Sequence, residues 1–123
     1  MKLTPQERLA LNKEILSIVI TKLGKNNAIR RPELLFDLQC RGWNIDDRQM
    51  RLGLEYLRQY EPKGARICAS VDGDGYYYAS SLDELKDALE SDINRARNIN
   101  IRVTNQLRRA FPELAGQYGM GAG

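Results

Sequence analysis

Residues 44–60, NIDDRQMRLGLEYLRQY, announce a helix more plainly than any other stretch, and the neighbouring segments have to be arranged around it. Asp46 stands where an N-cap belongs and Gln49 follows three residues later, the spacing of a reciprocal capping box. Ile45 before the cap and Met50 at the fourth helical position are placed to close it as an apolar staple. Met50, Leu54 and Leu57 recur at three- and four-residue steps and define a buried stripe, which leaves Arg48, Arg51, Glu55 and Arg58 on other faces. A short helix packed on one side, with arginines near its N-terminal half, has the form of an element that enters a DNA major groove. Capping by itself is what any surface helix requires.

Two helices are expected before it. Thr4-Pro5-Gln6-Glu7 combines a threonine cap, a proline in the first turn and a glutamate at the third position. Leu11, Ile15, Ile18, Val19 and Leu23, widened by Leu16 and Ile20, predict a helix over about residues 5–23, stopped by Gly24 and the Asn26-Asn27 pair. Ile29-Arg30-Arg31-Pro32 then leads into a second helix, with Leu34, Leu35, Phe36 and Leu38 available for burial and Gly42 placed to end it in a left-handed conformation. Two short helices joined across a glycine match the helix-turn-helix spacing. Trp43, in the joint, is read as a core residue.

After the break at Glu61-Pro62-Lys63-Gly64, residues 65–79 alternate at a period of two, and Asp72-Gly73-Asp74-Gly75 carries strong turn chemistry. A hairpin centred on Asp72-Gly73 or Gly73-Asp74 puts Ile67, Ala69, Val71, Tyr76 and Tyr78 on one face, with Cys68 and Tyr77 on the other. Three helices followed by such a hairpin describe a winged helix-turn-helix domain over residues 1–80. The turn, however, bears Asp72 and Asp74 and no cation, the wrong sign for dipping into a minor groove. The acidic turn lacks the twelfth-position glutamate of a calcium-binding EF-hand loop and is read as turn chemistry.

Ser81-Leu82-Asp83-Glu84 repeats the capping-box pattern and opens a helix expected to run to Phe111, where Pro112 stops it. Leu82, Leu85, Leu89, Ile93, Ala96, Val103, Leu107 and Ala110 follow a near-heptad spacing, with Asn100 in the same series and Ile99 beside it. Acids gather in residues 81–92, whereas residues 93–111 hold five arginines and no acid. That sorting suits the helix dipole, antiparallel pairing with a second copy, or contact of the basic half with DNA backbone. Residues 81–111 are thus expected to be a long C-terminal helix used for dimerisation, and residues 112–123, glycine-rich from 116, a flexible tail.

Composition narrows the chemistry. There is no histidine, which removes histidine-based acid–base catalysis, hydrolysis through a serine–histidine or cysteine–histidine pair, and the common histidine metal sites. The two cysteines, Cys40 and Cys68, fit no zinc spacing and are read as buried structural thiols. Carboxylate pairs at Glu7/Glu14 and Asp46/Asp47 are explained by capping and exposed helical charge, and no phosphate loop or dinucleotide fingerprint is present. No enzyme activity, cofactor or metal is expected. No apolar run approaches membrane-spanning length, and the start carries no secretory h-region, so the expected location is the cytoplasm. The net charge is only +3, but residues 1–64 hold 12 basic and eight acidic residues, so the excess lies on the segment with the reading helix.

The runs Asp46-Asp47-Arg48-Gln49-Met50-Arg51, Glu55-Tyr56-Leu57-Arg58, Ile67-Cys68-Ala69-Ser70, Gly75-Tyr76-Tyr77-Tyr78-Ala79-Ser80 and Leu82-Asp83-Glu84-Leu85 together resemble a group of small winged helix-turn-helix proteins of bacteriophages and prophages. The resemblance covers roughly residues 29–110. It implies a mainly α fold with a small β-hairpin, DNA binding in transcription regulation or DNA replication, and a bacterial host cell. By that likeness Arg48, Gln49 and Arg51 would face the major groove, and Tyr76, Tyr77 and Tyr78 would belong to the wing strand.

The expected function is therefore non-enzymatic binding of double-stranded DNA by a homodimer joined through the C-terminal helix. Arg48 and Arg51 are the main base-edge candidates and Gln49 a further one; Arg30 and Arg31 are candidates for phosphate contact, with Arg58, Asn26 and Asn27 behind them. A twofold would set two reading helices about 34–36 Å apart, on successive major-groove turns. The alternative is an adaptor or inhibitor that turns the same scaffold against a host or phage protein, a reading favoured by the acidic turn and the modest charge.

Overall fold

The computed structural model describes residues 2–70 and 75–114. The chain divides into two units, Met1–Ala88 and Leu89–Gly123. Four α-helices are present among the described residues: α1 (Pro5–Val19), α2 (Arg31–Cys40), α3 (Asp47–Tyr60) and α4 (Leu82–Ala110). Three short strands, β1 (Ile29–Arg30), β2 (Ile67–Ala69) and β3 (Gly75–Tyr78), form an antiparallel sheet in the order β1-β3-β2.

Local signals set most of the helix starts. Thr4 accepts from the Glu7 backbone N–H at 3.1 Å while the Thr4 N–H donates to the Glu7 carboxylate at 3.0 Å. The same reciprocal pair holds at α3, with 2.8 Å from the Gln49 N–H to Asp46 and 3.0 Å from the Asp46 N–H to the Gln49 side chain. Ile45 and Met50 are both buried in the main core, as the staple requires. Gly42 ends α2 at φ +98°, and the Trp43 N–H reaches back to the Leu38 carbonyl at 3.1 Å. Trp43 packs half-buried against that core. No atom would touch a Cβ at Gly42, so only its backbone angle opposes a side chain. Gly42→Ala is expected to cost about 1 kcal/mol, read as a lower urea midpoint at unchanged slope.

Helix α1 stops at Val19, four residues before the apolar pattern suggests, because the sheet claims the chain. The Tyr78 N–H donates to the Lys22 carbonyl at 2.7 Å and the Gly24 N–H to the Tyr78 carbonyl at 2.8 Å. Leu23 and Ile20 consequently lie exposed rather than in the buried stripe. Strand β1 is likewise absent from the sequence reading: two residues are too few to show a period, and Ile29 pairs with Tyr76 only because β3 is there to receive it. Phe36, expected in the core, is 67% exposed, since α2 buries only Leu34 and Leu38.

The sheet register sets Ile67 opposite Tyr78, Cys68 opposite Tyr77 and Ala69 opposite Tyr76, which reproduces the expected division of faces. One face joins Ile67 and Tyr78 to the main core of Leu11, Ile15, Leu34, Leu38, Met50 and Leu54, with Tyr76 packed against it. The opposite face forms a second cluster of Cys68, Tyr77 and Ala79, covered by Ala28, Leu85 and Ala88. Burial there pushes the Tyr77 hydroxyl up to about 12. Cys40, by contrast, is exposed, which corrects its reading as a buried thiol; Cys68 is buried. The acidic turn, with Val71, Asp72 and Asp74, and residues 115–123 of the expected tail lie outside the described residues, whereas Pro112–Leu114, expected in the flexible tail, form a 3-10 turn.

Only half of the third capping box forms. The Glu84 N–H reaches the Ser81 hydroxyl at 3.2 Å, but the Glu84 carboxylate accepts from the Ser80 N–H at 2.8 Å and from the Lys25 N–H at 3.0 Å. Those bonds, Lys25 first, hold its carboxyl below the usual carboxylate range. A carboxylate more acidic in the folded state stabilises the fold above its unfolded pKa, and the gain is lost as pH falls through the folded value. Glu84→Gln is therefore expected to flatten the fall in thermal midpoint between about pH 5 and pH 3. An acid limb as steep as that of the unsubstituted chain would contradict this role.

Candidate nucleic-acid interface

The exposed side of α3 is set by what the other side must bury. Met50, Gly53, Leu54 and Leu57 face inward, and at Gly53 the helix lies so close to α1 that a Cβ would meet Asn12 Oδ1 at 2.7 Å and Ile15 Cδ1 at 2.9 Å. Arg48 and Arg51 are thereby left exposed, Arg58 is half-buried, and Arg30 is exposed on β1. Gln49 is half-buried and its side-chain oxygen is engaged by the Asp46 N–H, so its first role is to cap.

Asp47 draws two of the candidate cations together. Its carboxylate pairs with Arg51 at 2.9 Å, one turn along α3, and with Arg31 at 3.3 Å, in the first turn of α2. All these side chains are at least two-fifths exposed, so the pairs position the guanidinium groups more than they stabilise the fold. Tyr76 of β3 belongs to the same neighbourhood: partial burial raises its hydroxyl pKa, while the charges of Arg31, Arg58 and Arg51 oppose the rise and Asp47 adds to it. The start of α2, α3 and the central strand thus bring three arginines, one aspartate and one tyrosine into a single electrostatic field. Asn26 and Asn27 sit in the turn before β1, where Asn27 donates to the Leu23 carbonyl at 2.7 Å.

No protein-family model, curated protein or solved structure matches the chain. What bears on its function is its own surface.

That surface holds a feature the sequence reading passed over. Leu52, Tyr56 and Tyr60 follow one another at four-residue steps on the exposed side of α3, and Leu52 is 59% and Tyr60 68% exposed. The rings of Tyr56 and Tyr60 lie 5.1 Å apart at 44°. The signal was present in the sequence as apolar residues left over once the Met50–Leu54–Leu57 stripe is assigned. Among the described residues no group of histidine, cysteine, aspartate and glutamate could hold a metal ion, and no helix is long and apolar enough to cross a membrane.

Proposed function

We propose that this chain is a non-enzymatic winged-helix protein that binds double-stranded DNA as a homodimer, with α3 as the reading helix. Arg48 and Arg51 are assigned to base edges, and Arg31, Arg30 and Arg58 to phosphates. The observation that carries the reading is the open, arginine-bearing N-terminal half of α3, held by a complete capping box and flanked by Arg31 from the first turn of α2. The order helix, strand, helix, helix, strand, strand and the β1-β3-β2 sheet support it, since that is how a winged helix sets its second and third helices beside a hairpin. The likeness to phage and prophage winged-helix proteins adds a setting: regulation of transcription or DNA replication in the cytoplasm of a bacterial host.

Selection from random duplex DNA, followed by a salt titration of the enriched sequences, tests this. Enrichment of a shared site whose affinity falls steeply with salt is expected. No enrichment, or a flat salt response, would favour a second reading, in which the scaffold serves as an adaptor or inhibitor of a host or phage protein. The Leu52–Tyr56–Tyr60 row supports that alternative, because an exposed aromatic row on a helix suits a protein partner.

A further inference from the structure

Helix α4 uses one side for its own sheet, where Leu85 and Ala88 cover Cys68, Tyr77 and Ala79. Further along, Leu89, Ile93, Ala96, Asn100 and Val103 recur at alternating four- and three-residue steps. All five are exposed, Ile93 by 55%. Thr104, beside the row, is buried within the single chain and Leu107 is half-buried, so the open part of the row is residues 89–103. An average step of 3.5 residues is the seam of a left-handed two-stranded coil, with Ile93 and Asn100 at a positions and Leu89, Ala96 and Val103 at d.

We infer that residues 89–103 of two copies of this chain pair as a parallel, in-register coil, Asn100 facing Asn100 of the second copy and Asp92 facing Arg97 of the second copy. The inference rests on the homodimer part of the reading above and is independent of the DNA part.

Orientation follows from one amide and one charge pair. In a parallel in-register pair every a residue meets its own equivalent, so the two Asn100 amides exchange donor and acceptor inside the seam. A β-branched residue at a with leucine at d, as at Ile93 and Leu89, is also the two-stranded combination. Asp92 and Arg97 occupy g and the following e, five residues apart, the pair that bridges a parallel coil. Asp92 already lies 3.9 Å from Arg95 of its own helix, with both side chains about half exposed, a contact weak enough to share.

Antiparallel pairing sets each a residue against a d residue. One register opposes Asn100 to Ala96 and stacks Arg97 on Arg97 of the second copy. The other matches Glu90 with Arg97 but opposes Asn100 to Leu89. Either buries an amide without a partner. The acid-over-basic pairing suggested by the charge sorting also weakens, because Glu84 is already engaged by the Lys25 and Ser80 N–H groups.

The test uses the full chain with the exposed Cys40 replaced by serine. Val103→Cys is expected to close a disulfide between copies under mild oxidation, while the reduced protein sediments as a dimer at tens of micromolar. Arg97→Glu is expected to weaken the dimer about tenfold, and Asp92→Arg combined with Arg97→Glu to restore it. A dimer that does not cross-link through position 103, or that is indifferent to Arg97→Glu, overturns the parallel register. A monomer at those concentrations, with helical content intact, overturns the homodimer and leaves DNA binding to its own test.

Discussion

Gly64→Ala is expected to destabilise the fold by about 3 kcal/mol, the upper end of what overpacking a well-filled site costs. Gly64 is buried in the 3-10 turn Pro62–Arg66 that follows α3. A Cβ there would overlap the Leu57 carbonyl oxygen and lie 2.6 Å from its carbon. Backbone cannot rotate away as a side chain does. The turn would have to move, taking with it the Lys63 carbonyl that accepts the Tyr78 hydroxyl at 2.9 Å. Leu57 itself belongs to the main core. Urea unfolding followed by circular dichroism reads the loss as a lower midpoint at unchanged slope. Gly53→Ala is the comparison: its neighbours are the ends of the Asn12 and Ile15 side chains, which can turn aside, so its loss is the smaller one. Equal stability of Gly64→Ala and the unsubstituted chain would mean that the turn is not held against α3.

Arg48→Ala and Arg51→Ala are each expected to weaken binding to a selected DNA site by roughly ten- to hundredfold, the worth of one good base contact. Binding to random duplex should suffer much less. Equal losses on the two DNAs would reassign these arginines to the phosphate backbone, since such contacts carry no sequence information. Asp47 supplies an internal check. Its carboxylate holds both Arg31 and Arg51, and Asp47→Asn removes one negative charge from beside them. It is expected to raise affinity for random duplex and steepen its salt dependence. Tyr56→Ala separates the two functional readings: DNA affinity should be unmoved, whereas a protein partner seated on the Leu52–Tyr56–Tyr60 row would be lost.

Where the sequence reading succeeded, the signal was local. The Thr4–Glu7 and Asp46–Gln49 boxes are each satisfied within four residues of the chain. The division of the hairpin faces followed from the two-residue period of a strand, and Pro112 lies just past the end of α4. Where it fell short, a distant partner had intervened. Leu23 left the helical stripe because residues 22 and 24 bond to Tyr78, and Glu84 left its box because Lys25 offered a second backbone donor. Phe36 sits among apolar neighbours in the sequence, yet α2 is too narrowly packed to cover it.

The candidate site divides in the same way. Arg48 and Arg51 could be placed on an exposed face from helical spacing alone, because the buried stripe of α3 is unambiguous. Tertiary structure alone decided that Arg31 and Arg51 share the Asp47 carboxylate, and that Tyr76 feels the charges of Arg31, Arg51 and Arg58. The sequence by itself determined where helices begin, which faces turn inward, and that no histidine chemistry is available. Helix caps and strand periods are short-range, and each carries its own partners along the chain. The meeting of α2, α3 and β3 joins residues as far apart as 31 and 76, and only packing of the core selects which such distant groups become neighbours.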